Sequence, residues 1–149
     1  MYLQTYKSSE SIPHVALPSR YRADKPFGGA IYYLLTDDPD SFSALHVLPT
    51  DEIFHFYLGD PVEMLNLYPD GNSQRIILGH DLLNGQTVQH VVPQGVWQGC
   101  YLMPPGKYAL MGTTMAPAFT AGDYTGGERE TLIRQYPHEA DLIRRLTRI

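Results

Sequence analysis

The chain has 149 residues, 43% of them hydrophobic, a length that suits one core. Eleven Lys and Arg stand against 16 Asp and Glu, for a net charge of −5. That balance argues against a nucleic-acid backbone as partner. No run approaches the roughly 20 apolar residues of a membrane span. Met1–Glu10 lacks a basic segment followed by an apolar one, so neither a membrane partner nor a signal peptide is expected.

Pro13, Pro18 and Pro26 break up the first third, and Gly28-Gly29 precedes the first strong apolar run. Ala30–Leu35 (AIYYLL) reads as a buried strand and 36–41 (TDDPDS) as a turn. Phe42–Leu48, Glu52–Leu58 and Val62–Tyr68 follow as strands, separated by Pro49–Asp51 and by Gly59-Asp60-Pro61. Pro69–Asn72 is a strong turn signal. Arg75–Leu78, Gln86–Val92, Val96–Leu102 and Tyr108–Met115 complete the set, with breaks at Asn84-Gly85, Pro93–Gly95 and Pro104–Gly106. Short strands at this regular spacing predict an all-β sandwich or barrel. The tail changes period: Glu128–Gln135 and His138–Arg148 read as helical, with Leu142, Ile143 and Leu146 on one face and arginines near the end. No repeat or linker divides the chain, so 1–149 reads as one domain.

The single cysteine, Cys100, cannot close an internal disulfide and fits a reducing, cytoplasmic compartment. It sits in a run of buried type and reads as inert core. The 11 tyrosines favour a wet pocket or a subunit contact in a β-rich domain.

Two segments carry chemistry. His46-x5-Glu52-x6-Gly59 crosses the second and third strands, and Pro93-x-Gly95-x2-Gln98 leads into the seventh. Together they resemble the two motifs of the cupin superfamily, in which the first supplies two His and a Glu and the second a third His. His46 and Glu52 match, whereas Leu48 stands at the second His and Gln98 at the third. The strings AIYYLL, SALH, DEIFHFYLGDP, VVPQGVWQ and YALMGTTMAPAF, and the ending YPHEADLIRRLTR, are similar to one small cupin family, domain of unknown function 985. The likeness runs from about Tyr2 to Arg148. It implies a double-stranded β-helix, a jelly-roll barrel, usually as a homodimer, with kinship to sugar-nucleotide epimerases. The usual opening, His-Pro-Glu-Gly-Gly and then Arg-Glu, is replaced here by a start at Met1-Tyr2 with Leu3-Gln4. The missing arginine has to be supplied by another residue, such as Arg20 or Arg22, or the ligand differs.

A catalytic metal in an N/O site needs at least three good ligands. His46 and Glu52 are two; Gln98 is a poor third for Fe, Ni, Zn or Mn, and alternation turns His55 to the other face. The expectation is therefore a site with no metal or other cofactor; a divalent ion, if bound, would rest on His46, Glu52 and Gln98. Without a metal, a histidine beside a carboxylate can exchange protons near neutral pH. His46, Glu52 and an opposing Tyr32 are the candidate catalytic residues, and Gln98, Phe54, Phe56 and Tyr101 the candidate substrate contacts. This set suits epimerisation or isomerisation of a small polar molecule, sugar-like or hydroxy-carbonyl, by proton transfer. Three other readings stand beside it: a metal-dependent cupin oxygenase or isomerase, a ligand-binding protein without catalysis, and a His46–Glu52 pair that is only a satisfied polar contact. Trp97 reads as core or rim, His55 as structural or interfacial, and His14, His80, His90 and His138 as solvated.

Overall fold

Buried and half-exposed residues alternate along β-strand segments such as Glu52–Phe56, and the chain packs its strands as two facing antiparallel sheets. The computed structural model describes residues 1–148. In chain order the strands are β1 (Tyr2–Lys7), β2 (Ser11–Ile12), β3 (Lys25–Pro26), β4 (Gly29–Thr36), β5 (Phe42–Val47) and β6 (Glu52–Gly59). They continue with β7 (Val62–Leu67), β8 (Ser73–Leu78), β9 (Gln89–Val92), β10 (Trp97–Leu102), β11 (Tyr108–Met115) and β12 (Thr125–Gly126). Two helices follow, α1 (Arg129–Gln135) and α2 (Ala140–Arg145). The first sheet has the order β1-β4-β11-β6-β9 and the second β12-β5-β10-β7-β8; β2 and β3 form a separate ribbon. This is the jelly-roll arrangement that the family resemblance implies, with the short helical tail that the change of period predicts.

The core between the sheets takes Leu35, Phe54, Phe56 and Met111 from the first and Val62, Met64, Cys100 and Leu102 from the second. A second cluster lies outside the barrel, where Leu45, Leu65 and Leu67 on the outer face of the second sheet meet Leu132, Tyr136, Leu142, Ile143 and Leu146 of the tail. Trp97 packs against this cluster and stays partly exposed at its edge. Gly99 is required by close approach: a Cβ at this position would meet the Ser43 carbonyl oxygen at 2.9 Å. The register shift there, from Gln98↔His46 to Cys100↔Ser43, sets Gln98 directly opposite His46.

The short strands β2, β3 and β12 have no counterpart in the sequence expectation, β8 starts two residues earlier than expected, and three further elements differ for physical reasons. β1 was read only as part of a broken first third, yet it pairs with β4 as an edge strand with every residue exposed. β9 starts at Gln89 rather than Gln86, because the Gln86 side chain turns away to accept from the Asp81 amide at 3.0 Å. α2 is shorter than His138–Arg148. Pro137–Glu139 forms a 3₁₀ turn, with Glu139 drawn sideways to Arg75 at 2.6 Å and Ser73 at 2.7 Å, and the Thr147 hydroxyl donates to the Ile143 carbonyl at 2.8 Å beyond the last turn.

Candidate functional site

The two motif turns are docked on each other. The Gly95 amide donates to the Leu48 carbonyl at 3.0 Å, and the Gln94 amide to the Asp51 carboxylate at 2.8 Å. Gly95 has φ +76°, a conformation that glycine adopts without strain. This contact brings the start of β6 beside the start of β10, so Glu52 and Gln98 meet although 46 residues separate them: the Gln98 amide nitrogen donates to Glu52 at 2.8 Å. Both side chains are buried.

His46 reaches the same place from β5. Its Nδ1 lies 2.8 Å from the Ala44 carbonyl oxygen. A carbonyl only accepts, so Nδ1 carries the proton and Nε2 keeps the lone pair in the neutral ring. Tyr124 stacks on the imidazole, with ring centroids 5.0 Å apart and an interplanar angle of 17°. Burial raises the Glu52 carboxyl above its ordinary value, while the Thr113 hydroxyl, the His46 imidazole and the Gln98 amide pull it back.

His46 and Glu52 border a cavity of about 720 Å³ between the sheets, lined also by Phe54, Tyr33 and Thr113 and rimmed by β1 and the 118–124 segment; Gln98, expected as a substrate contact, is not among the lining residues and touches the site only through its bond to Glu52. Three expectations are corrected, two by strand parity and one by depth in the core. Tyr32 faces outward and packs edge-on against Tyr57 at 6.0 Å, so it cannot oppose His46. Its neighbour Tyr33 lines the cavity instead, its hydroxyl against Ser43, and burial pushes its phenol up to about 12. Tyr101 lies on the outer face of β10, donates to Glu63 and sits under the Arg145 guanidinium at 3.9 Å; it does not line this cavity but a separate one. Phe56 belongs to the core below the cavity, edge-on to His80 at 4.9 Å, and only Phe54 serves as floor.

Neither Arg20 nor Arg22 borders the cavity. Arg20 donates to the Pro49 carbonyl at 2.9 Å and lies over Tyr21. The cations at the rim are Lys7 and Arg148, and Glu52 is the one acid among the lining residues. Arg148 is held over the Phe42 ring at 4.6 Å. In the sequence it reads as a helix-end charge, and nothing in its local pattern marks it as a wall of the cavity. His55 faces outward, as alternation predicted, bonded to Thr114 at 2.9 Å. His90, expected to be solvated, is half-buried and bonds the Asn66 side-chain oxygen Oδ1 at 2.7 Å. Cys100 is fully buried, and its thiol is pushed up to about 12 by that burial, which leaves it inert.

The donor set does not fit a catalytic metal. Gln98 turns its NH₂ toward Glu52, Leu48 offers no ligand, and among the described residues no three His, Cys, Asp or Glu side chains converge.

Residues 1–126 match the Cupin superfamily (DUF985) family, which leaves α1 and α2 outside the match. The uncharacterized protein YML079W of Saccharomyces cerevisiae is 33% identical over 98 residues, covering 64% of this chain and 48% of its own length. This chain thus spans about half the length of that curated relative. A solved protein of Shewanella oneidensis superposes with a TM-score of 0.83 at 27% identity, over 99% of this chain and 85% of its own. A hypothetical protein from Leishmania major gives 0.86 at 22% identity, over 99% and 89%. A dTDP sugar isomerase from Desulfovibrio desulfuricans shares the fold at 0.58 and 14% identity, over 85% and 83%. With both motif turns docked on one cavity and the family match spanning most of its length, the chain belongs to the DUF985 family of the cupin superfamily.

Proposed function

We propose that the cavity binds a small polar molecule, sugar-like or hydroxy-carbonyl, and isomerises or epimerises it by proton transfer without a metal. The observation that carries this reading is the His46 bond to the Ala44 carbonyl at 2.8 Å, which fixes the ring and leaves Nε2 as the base. Nε2 takes a proton from the carbon next to a carbonyl and the ring becomes imidazolium. The Glu52 carboxylate stabilises that charge, and Gln98 and Thr113 hold the carboxylate in place. Tyr33, on the facing sheet, keeps its phenol proton and is the acid that delivers a proton to the enolate. Lys7 and Arg148 at the rim favour a ligand with an anionic end.

The test is solvent exchange. Candidate sugar nucleotides, sugar phosphates and 2-hydroxy or 2-keto acids are incubated with the protein in D₂O and examined for deuterium next to the carbonyl. His46→Ala is expected to lower the exchange rate by about 10²–10⁴, the usual range for loss of a general base. Ligands that bind in calorimetry and never exchange would leave a binding protein in place of an isomerase. Exchange that appears only after Fe or Ni is added would favour the metal-dependent reading.

A further inference from the structure

One wall of the cavity is held by neither apolar cluster. Residues 116–124 connect β11 to β12 and contribute Phe119, Thr120 and Tyr124 to the lining, with Tyr124 stacked on His46. Among the described residues, neither this segment nor the chain before residue 31 places a side chain in either cluster. The two are tied together by charge. Lys25 on β3 is 1% exposed, and its ammonium meets the Asp123 carboxylate and the Thr120 hydroxyl, with the Tyr21 ring 5.7 Å away. Asp123 also closes its own turn by accepting from the Thr120 amide at 2.8 Å. The Ala118 amide donates to the Pro26 carbonyl at 3.0 Å, and the Tyr21 hydroxyl meets Thr50, two residues before Glu52, at 2.7 Å.

A buried ion pair adds little to overall stability, because desolvation offsets the attraction; a use open to it is to fix one arrangement over others. We propose that Lys25 and Asp123 are positioning residues that latch the 116–124 segment across the cavity and seat Tyr124 on His46, and that release of this latch admits the ligand. The proposal rests on the cavity being the ligand site, but its test needs no ligand. Removing one partner leaves the other as a buried, uncompensated charge, which reaches water only if the segment lifts. Asp123→Asn keeps a side-chain oxygen for the Thr120 amide and drops the charge, so it separates the latch from the turn.

Full-length protein is treated with diethyl pyrocarbonate, which acylates accessible imidazole nitrogen, and modification at His46 is followed by peptide mass spectrometry. Amide exchange is measured in parallel. Lys25→Met and Asp123→Asn are each expected to speed His46 acylation at least tenfold and to deprotect 116–124, while β7 and β10 keep their protection; Lys25→Arg is expected to stay close to wild type. Unchanged acylation and unchanged protection of 116–124 would overturn the latch. So would loss of protection in parallel across all strands, which would make the pair a support of the whole fold. If Lys25→Met does not fold, Asp123→Asn carries the decision. A latch that opens in a protein that exchanges no substrate overturns the isomerase reading alone.

Discussion

Glu52 is where burial and chemistry oppose each other. Its folded carboxyl sits above its ordinary value because burial disfavours the charge. Between the unfolded value and the raised folded one, the native state binds the extra proton, so its contribution to stability is greatest in acid and falls as pH rises through the folded value. Glu52→Gln removes this dependence. The variant should gain stability relative to wild type as pH rises above the ordinary carboxylate range, and the difference should vanish in acid. Thermal melts of the two proteins across pH check it, and a variant less stable than wild type at neutral pH would show that charge pairing outweighs burial. Residue parity also explains what the sequence made legible here. Glu52 and Phe54 were placed inward by alternation from the motif, and the structure agrees. The same rule, applied from buried Leu35, puts Tyr33 inward and Tyr32 outward, and applied from Gln98 it puts Tyr101 outward. Residue type alone does not tell these tyrosines apart; strand parity does. Arg148 was beyond reach, because its position depends on how the tail docks.

At the scale of elements, the strands with turn signals at both ends were legible, and β1 was not. It has no core of its own, and its pairing depends on an edge that exists only once β4 has folded. The helical tail is attached by the apolar face that its period revealed. Ile143 is fully buried against the outer side of the second sheet. Ile143→Ala should cost about 2–5 kcal/mol, the range for deleting a buried aliphatic side chain. Urea titration measures it, and a loss below ~1 kcal/mol would mean that the tail docks loosely. Gly99 is the matching test within the barrel. Gly99→Val forces a side chain into the Ser43 carbonyl, pushes β10 off β5 and should separate Gln98 from His46, which a chemical-shift change at the Gln98 amide would report.

For the whole molecule, the outer face of the first sheet is the feature that a lone chain does not explain. Leu3, Tyr32, Tyr57 and Val91 are all at least 43% exposed on it, beside His55 stacked on Tyr57. We propose a homodimer through this face. Light scattering at micromolar concentration should give twice the 16.8 kDa chain mass, and a monomer mass would refute it. The proposed chemistry turns on one nitrogen in the cavity between the sheets: with Ala44 holding Nδ1–H, His46 presents Nε2 as the base. Long-range ¹H–¹⁵N correlation of the histidine rings in uniformly labelled protein reads this directly, with His46→Gln for assignment. At a pH where the ring is neutral, the account predicts a protonated Nδ1 and a lone-pair shift at Nε2 that moves when a binding ligand is added. A neutral His46 protonated at Nε2, with no response to any ligand that binds, would contradict it.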